Sequence, residues 1–395
     1  MKREVWLNYI AVIVAVVVIA LWAWWLFRPE PMPFVLRVKW AVRQGIVLGK
    51  PAFLPKGNLL AIPVFSFASG GTTLSVNFWH VPSGSQAKPS ILISKRSHPL
   101  GLTPQPIAFS PDGHLLAVGY LEQGVGKIGV FRVADGRLVR AISMGKSKAF
   151  LTPSVLFSPD GKKLAVMHDV RLRFVQIADG KQVETNIVPN MVVFSSDGQL
   201  IAALYASDAV NIYNASGRII RQLRTALTSS VNLLEFTTAT FSRDSQKFLC
   251  VLTEGQSQAG RDRRREWLGI WRVSDGKLER AISLTSFYDL SPNFHTPSAL
   301  SLNASLVALT EPDPSGWDGL VWRVERFICR LLKRSEPIPP MQVVVRRIAD
   351  GQVVAKLPRF GRVVSDCVFS PDGRFLVAVH DRRTIAVWEY TAKAQ

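Results

Sequence analysis

Residues 109–113 read Phe-Ser-Pro-Asp-Gly, and the same five residues return at 157–161 and 369–373. Each side chain in the stretch has a local task. Pro presets φ, Asp hydrogen-bonds nearby backbone, and Gly supplies a positive φ, so the stretch is a tight reversal between two strands. Looser copies begin at Phe53 (FLPKG), Phe194 (FSSDG), Phe241 (FSRDS) and Leu300 (LSLNA). Seven such turns make an internal repeat, and a repeat takes precedence over single residues.

Short β-rich runs follow the turns: LLAVGY (115–120), KLAVMH (163–168), LIAALY (200–205) and FLVAVH (375–380). A second strand comes next, as in IGVFRVADG (128–136), LGIWRVSDG (268–276) and TIAVWEY (384–390). Six of these second strands end in Ser83-Gly84, Asp135-Gly136, Asp179-Gly180, Ser216-Gly217, Asp275-Gly276 and Asp350-Gly351. Such pairs are hairpin signals between alternating strands. Each unit is therefore four antiparallel strands, a to d, joined by an a–b turn, a b–c loop and a c–d turn. Seven such sheets packed radially around a channel leave only short edges. The last unit stops after strand c at Tyr390, while an orphan strand, FVLRVKWAV, occupies residues 34–42. That strand is expected to become strand d of the last blade and close the ring, because an open array would expose long edges.

The pattern resembles the WD40-like β-propeller family over about residues 34–391. The resemblance rests on the Ser-Pro-Asp-Gly turns, on Asp169, Asp208 and Asp381 at short b–c turns, and on Phe131, Trp271 and Trp388 in strand c. Two hallmarks are displaced. The Gly113-His114 pair lies inside an a–b turn, and Trp317-Asp318 lies inside an insertion, with Trp388-Glu389 the nearest match at the end of strand c. The His-centred hydrogen-bond tetrad of typical members is therefore not expected, and the chain looks more like the divergent bacterial propellers. The resemblance implies an all-β fold, a seven-bladed β-propeller of four-stranded antiparallel blades over residues 31–391, and binding rather than reaction as its default role.

Ahead of the repeat, residues 5–27 form an apolar run whose clearly polar member is Asn8. As a helix it measures roughly 34 Å, enough to cross a hydrocarbon core of ~30 Å. Trp6 and Tyr9 sit at one end and Trp22, Trp24 and Trp25 at the other, where amphipathic rings suit headgroup depth. The run ends without a small-residue cleavage site, so residues 1–30 are expected to be a retained single-pass transmembrane helix. Lys2 and Arg3 precede it, while Arg28, Arg37, Lys39 and Arg43 follow, a bias that favours a cytoplasmic propeller.

The chain of 395 residues is 48% hydrophobic and 19% charged, which excludes wholesale disorder. Cys250, Cys329 and Cys367 are too few and too scattered for a disulfide framework or a CxxC zinc site. His80, His98, His114, His168, His295 and His380 show no metal-ligand spacing, and no GxSxG, Walker loop or dinucleotide fingerprint is present. His168-Asp169 and His380-Asp381 share one repeat position at the end of strand b, which assigns them to turn geometry. No catalytic residue, metal or cofactor is expected.

Two insertions break the repeat, both between strands b and c. Residues 256–266, in blade 5, carry Arg261, Arg263, Arg264 and Arg265. As a loop, this stretch is either a concentrated positive site for phosphates, lipid headgroups or acidic proteins, or simply a solvated segment. Residues 311–340, in blade 6, place Trp317, Leu320, Val321, Val324, Phe327, Ile328, Leu331 and Leu332 at helical spacing. Arg323, Arg326, Arg330, Lys333 and Arg334 lie mostly on the remaining face, and Ser315 with Asp318 suggests a capping box. An amphipathic helix of about 18 residues with five basic groups does not span a bilayer readily. It lies in a membrane interface, or its apolar stripe packs on the propeller or another protein.

The expected function is a membrane-anchored, non-enzymatic scaffold or accessory subunit whose partners are membrane-associated proteins, with anionic headgroups as a second ligand. The net charge of +19 motivates a rival, nucleic-acid binding, although no recognised nucleic-acid motif accompanies it. A ligand-binding or enzymatic periplasmic propeller is the third class.

Overall fold

Strands b of the repeat read as unbroken apolar runs because both of their faces are covered. In Phe375–His380 every side chain is buried, and Leu115–Glu122 is nearly the same. Each blade packs one face on the blade before it and the other on the blade after it. The computed structural model describes residues 34–391 except 43–44, 48, 69–70, 96–106, 149–151, 170, 206–208, 215–217, 225–232, 259–260, 286–287, 291–296, 314 and 332–336. The expected span at 5–27 lies outside the described residues. Among the described residues, no helix is long and apolar enough to cross a membrane.

Seven antiparallel sheets form the ring, each in the order a-b-c-d. Blade 1 holds Ala52–Phe53, Leu59–Ala68, Gly71–His80 and Gln86–Ser94; blade 2 holds Ile107–Phe109, Leu115–Glu122, Val125–Arg132 and Leu138–Lys146. Blade 3 holds Ser154–Phe157, Lys163–His168, Arg171–Gln176 and Gln182–Glu184; blade 4 holds Met191–Phe194, Leu200–Leu204, Ala209–Asn214 and Ile219–Arg224. Blade 5 holds Leu233–Phe241, Lys247–Gln258, Arg261–Arg272 and Leu278–Ser283. Blade 6 holds Ser298–Leu300, Leu306–Pro312, Met341–Arg347 and Val353–Lys356; blade 7 holds Val364–Phe369, Phe375–His380 and Thr384–Tyr390 with Phe34–Ala41 as its strand d. Two blades exceed four strands: Ile46–Val47 pairs with Leu59–Ala68 in blade 1, and Tyr288–Leu290 pairs with Arg261–Arg272 in blade 5.

The core is divided among the seven blade-to-blade seams. Leu60, Ile62 and Val64 of blade 1 meet Val377, Val379, Ile385 and Val387 of blade 7. Trp271 and Phe248 of blade 5 pack with Leu204 and Ile212 of blade 4. Each fully buried side chain of this size contributes roughly 1.5–3 kcal/mol. The strand c aromatics Phe131, Trp271 and Trp388 are all buried in such seams. Strand d forms the outer rim, and Gln182–Glu184 is exposed throughout.

Closure follows the expected pairing. Phe34 lies opposite Tyr390 and Ala41 opposite Thr384, with a bulge between Leu36 and Val38. The Phe34 and Tyr390 rings are 4.9 Å apart, and Trp40 stacks on Trp79 of blade 1 at 5.0 Å. Val42 and Val47 then donate their amides to the Arg383 and Arg382 carbonyls at 2.9 and 2.7 Å.

The a–b turns add one element to the expected chemistry: their serine is the hub. Ser110 Oγ donates to Asp112 Oδ1 at 2.5 Å and accepts the Leu115 amide at 2.8 Å, while Asp112 Oδ1 accepts the His114 amide at 3.0 Å. The same pattern recurs at Ser158 and Asp160, Ser195 and Asp197, Ser242 and Asp244, and Ser370 and Asp372. The hydroxyl contact, more than any other, holds the Asp112, Asp160, Asp197 and Asp244 carboxyls below their usual range. The loose copies keep the backbone even without glycine, since Ser245 and Ala304 have φ of 58° and 55°.

Candidate functional site

Both insertions leave the ring between strands b and c, on neighbouring blades, so both rise from the same face. The stretch expected as a loop at 256–266 is instead a projecting hairpin. The two twelve-residue strands of blade 5 stay paired from Lys247 opposite Arg272 out to Gln258 opposite Arg261. Tyr288–Leu290 extends the sheet by pairing with Asp262, Arg263 and Arg264. The extension is polar in sequence, so it carries no apolar alternation to mark a strand. Arg261, Arg263, Arg264 and Arg265 all fall within the outgoing strand, Arg261–Arg272. Arg265 is engaged within the hairpin. Its Nη2 is 2.9 Å from Glu254 Oε2, its guanidinium lies 4.4 Å over the Trp267 ring, and Trp267 Nε1 donates to the same carboxylate oxygen at 2.7 Å.

The blade 6 insertion forms helix α1, Gly316–Leu331. Trp317, Arg323, Val324, Arg326, Phe327, Arg330 and Leu331 fall within it, whereas Lys333 and Arg334 lie outside the described residues. The expected capping box is not formed, because Ser315 turns its hydroxyl to Asp313 Oδ1 at 2.6 Å. Burial works to raise Asp313, yet the Ser315 hydroxyl and amide together with Arg359 outweigh it and hold the carboxyl below its usual range. Asp318 pairs instead with Arg359 at 3.7 Å.

Helix α1 is fastened to the propeller by its polar side. Arg359 and Arg362, on the connection from blade 6 to blade 7, are the clamp. Arg359 pairs with Asp313 at 3.4 Å and donates to the carbonyls of Asp313 and Ser315 at 3.0 and 3.2 Å. Arg362 pairs with Glu325 and donates to the Ile338 carbonyl at 3.2 Å. Trp322 Nε1 donates to the Pro337 carbonyl at 2.9 Å. The apolar stripe points the other way: Leu320, Val321, Val324, Phe327 and Ile328 are 48, 36, 52, 63 and 46% exposed. Packing of the stripe on the propeller, one of the two sequence expectations, is therefore not what the fold adopts. Among the described residues, the ties of α1 run toward blade 7 rather than to the blade 5 hairpin.

A third elaboration on this face had no counterpart in the sequence expectations. Blade 1 extends its b–c hairpin from Leu59–Ala68 into Gly71–His80, with Phe67 62% exposed near the tip. Its signal is the long apolar run, LLAIPVFSFA (59–68), before Ser69-Gly70-Gly71.

The strands a line a central cavity of about 290 Å³, bordered by Phe53, Ile107, Leu156, Thr238, Leu300 and Phe369 among others, with Lys50 at its wall. Lys50 Nζ donates to the Ser298 carbonyl at 3.4 Å, and Ser298 Oγ donates to Thr237 Oγ1 at 2.7 Å. Burial pushes the Asp366 carboxyl up to about 7, against the opposing pull of Lys50. Burial likewise pushes the Cys367 thiol up to about 12. Among the described residues, no three His, Cys, Asp or Glu side chains converge as a metal site.

The two His-Asp steps serve as turns. Asp169 and Asp381 have φ of 48° and 49°. Asp169 accepts the Ser147 hydroxyl and the Lys148 amide at 2.8 Å each; Asp381 accepts the Arg362 and Val363 amides at 3.1 and 2.8 Å. Each aspartate thus ties the strand d to strand a connection entering its own blade. His380 is fully buried against Phe360 and Trp388, and burial lowers it to about 4.

Residues 351–389 match the family described as WD domain, G-beta repeat. In the structure they comprise strand d of blade 6 and strands a to c of blade 7, one sequence repeat staggered by a strand from one blade. No curated protein matches the chain. Among solved structures, a chain of Kuenenia stuttgartiensis hydrazine synthase is similar with a TM-score of 0.60 at 16% identity, covering 89% of this chain and 97% of that one. At that identity the likeness is one of fold: a β-propeller, here with seven blades and a WD-type repeat spanning blades 6 and 7.

Proposed function

We propose that this protein is a membrane-anchored, non-enzymatic interaction scaffold, an accessory subunit that holds partner proteins at a membrane. The supporting observation is the closing strand. Six residues separate the apolar run at 5–27 from Phe34–Ala41, the strand that completes blade 7. The ring is a rigid platform, and its variable b–c elaborations supply the recognition surfaces. The propeller is assigned to the cytoplasmic side from the basic residues that follow the run. A photo-crosslinker placed at Phe67 or Ile219, both exposed, in the full chain in native membranes tests the idea. Protein adducts at either position, with the chain retained after alkaline carbonate washing, support it. Release by carbonate rejects the anchor, and a lack of protein adducts at both positions rejects the scaffold.

The central cavity favours a second function, binding of a small ligand beside Lys50. It would displace the first if a small molecule co-purified with the full chain and was lost in Lys50→Ala.

A further inference from the structure

We infer that helix α1 is a bilayer-facing element that lays the helix-bearing rim of the propeller on an anionic membrane surface. The inference rests on the membrane-anchored function above. An amphipathic helix normally turns its apolar face inward; α1 does the reverse. Its propeller side carries Asp318, Trp322 and Glu325, all bonded to the ring or to the segment that leads back to it. Its outward side carries Leu320, Val324 and Phe327, each close to half exposed or more. The arginine clamp therefore holds the apolar stripe away from the protein.

Charge selects the occupant. Residues 315–334 contain two acids, Asp318 and Glu325, against Arg323, Arg326, Arg330, Lys333 and Arg334. Both acids are paired with propeller arginines, Arg359 and Arg362. The outward side is left apolar with Arg323, exposed, along its border, the composition of a helix lying at the headgroup boundary. Anionic lipids attract such basic groups, and the attraction falls off within a Debye length.

Depth-dependent quenching tests the inference. The full chain, with Cys329→Ser, is reconstituted into vesicles of phosphatidylcholine with phosphatidylglycerol, some of it brominated. An environment-sensitive probe is attached in turn at Ala15→Cys in the apolar run, at Phe327→Cys or Val324→Cys on α1, and at Val139→Cys on the far side of blade 2. The α1 probes are expected to be quenched severalfold more than the probe at 139, and less so in pure phosphatidylcholine or at high salt. Quenching at 15 without quenching at 324 and 327 overturns the inference and leaves the anchor standing; the stripe then faces water or a protein. Absence of quenching at 15, 324 and 327 overturns the anchor and this inference together.

Discussion

The a–b turns of blades 6 and 7 allow one backbone geometry to be tested with opposite expected signs. Gly373 has φ of 73° and Ala304, at the matching position, has φ of 55°. A side chain in this left-handed region costs about 1–2 kcal/mol. Gly373→Ala adds that cost, and the smaller conformational freedom of the unfolded chain returns about 0.4–1 kcal/mol. The new Cβ would meet Asn303 Nδ2 at 3.5 Å, an ordinary contact, so no clash enters. The net expectation is destabilisation of ~1 kcal/mol. Ala304→Gly relieves the same strain, loses the same entropy advantage, and gives up part of a methyl contact with the blade 5–6 seam. A half-buried methyl is worth about 0.4 kcal/mol, which leaves a gain of a few tenths to ~0.5 kcal/mol. Urea midpoints of the full chain in detergent at constant slope read both values. If Gly373→Ala is neutral or stabilising, the turn is not strained as argued, and the equivalence of the loose and strict copies fails.

Four further outcomes follow from named contacts. Ser195→Ala, at a fully buried hub, should cost about 1–3 kcal/mol by leaving the Leu200 amide without its partner. Because Asp112, Asp160 and Asp197 are held below their usual range, the stability they contribute is complete above pH ~4 and is lost as pH falls through their folded values; acid titration of the urea midpoint shows it. His380 is lowered from 6.5 to about 4, so the native chain releases a proton that the unfolded chain keeps, and stability falls as pH drops across that window; His380→Asn should remove ~3 kcal/mol of this slope relative to wild type, and an unchanged difference between the two proteins at pH 7 and pH 4 would refute it. Deleting residues 1–45 should cost ~5 kcal/mol or more through loss of buried Phe34 and Val42 and the Trp40–Trp79 stack, whereas deleting 1–30 should leave the urea midpoint unchanged.

Local chemistry explains which parts of the fold were legible in the sequence. A Ser-Pro-Asp-Gly turn carries its own φ preferences and its own hydrogen bonds, so its position, and with it strands a and b, can be read directly. Closure by Phe34–Ala41 was legible by counting, because an unpaired strand c at one end needed a partner at the other. The hairpin around Arg261, Arg263, Arg264 and Arg265 was not. Its strands are paired through the backbone ladder while its residues are polar in sequence, so its hydropathy pattern is that of a loop. The link from Asp381 to the Arg362 and Val363 amides, some twenty positions earlier, forms only when strands a and b of blade 7 are paired. Helix α1 was visible as a period, but its orientation was set by Arg359 and Arg362, which lie beyond the insertion.

The two faces of the ring are under different constraints. On the a–b face the turns pack around the axis against one another. A Cβ at Gly161 would lie 3.6 Å from Pro111, one at Gly198 would lie 3.2 Å from Pro159, and one at Gly57 would lie 3.5 Å from Asp372. Turns on these successive blades lie close together, and all seven keep one conformation even where the sequence lacks glycine. On the b–c face the connections differ in length from blade to blade. Extra residues there extend a ladder or add a helix without disturbing a seam, as blades 1, 5 and 6 show. These three blades, with blade 7 between 6 and 1, form one continuous arc, and blade 7 is the blade completed by the strand after the apolar run. The freedom to vary and the closing strand therefore fall on the same arc of the ring, which makes that arc the place where a surface new to this chain can be added at little cost to the fold.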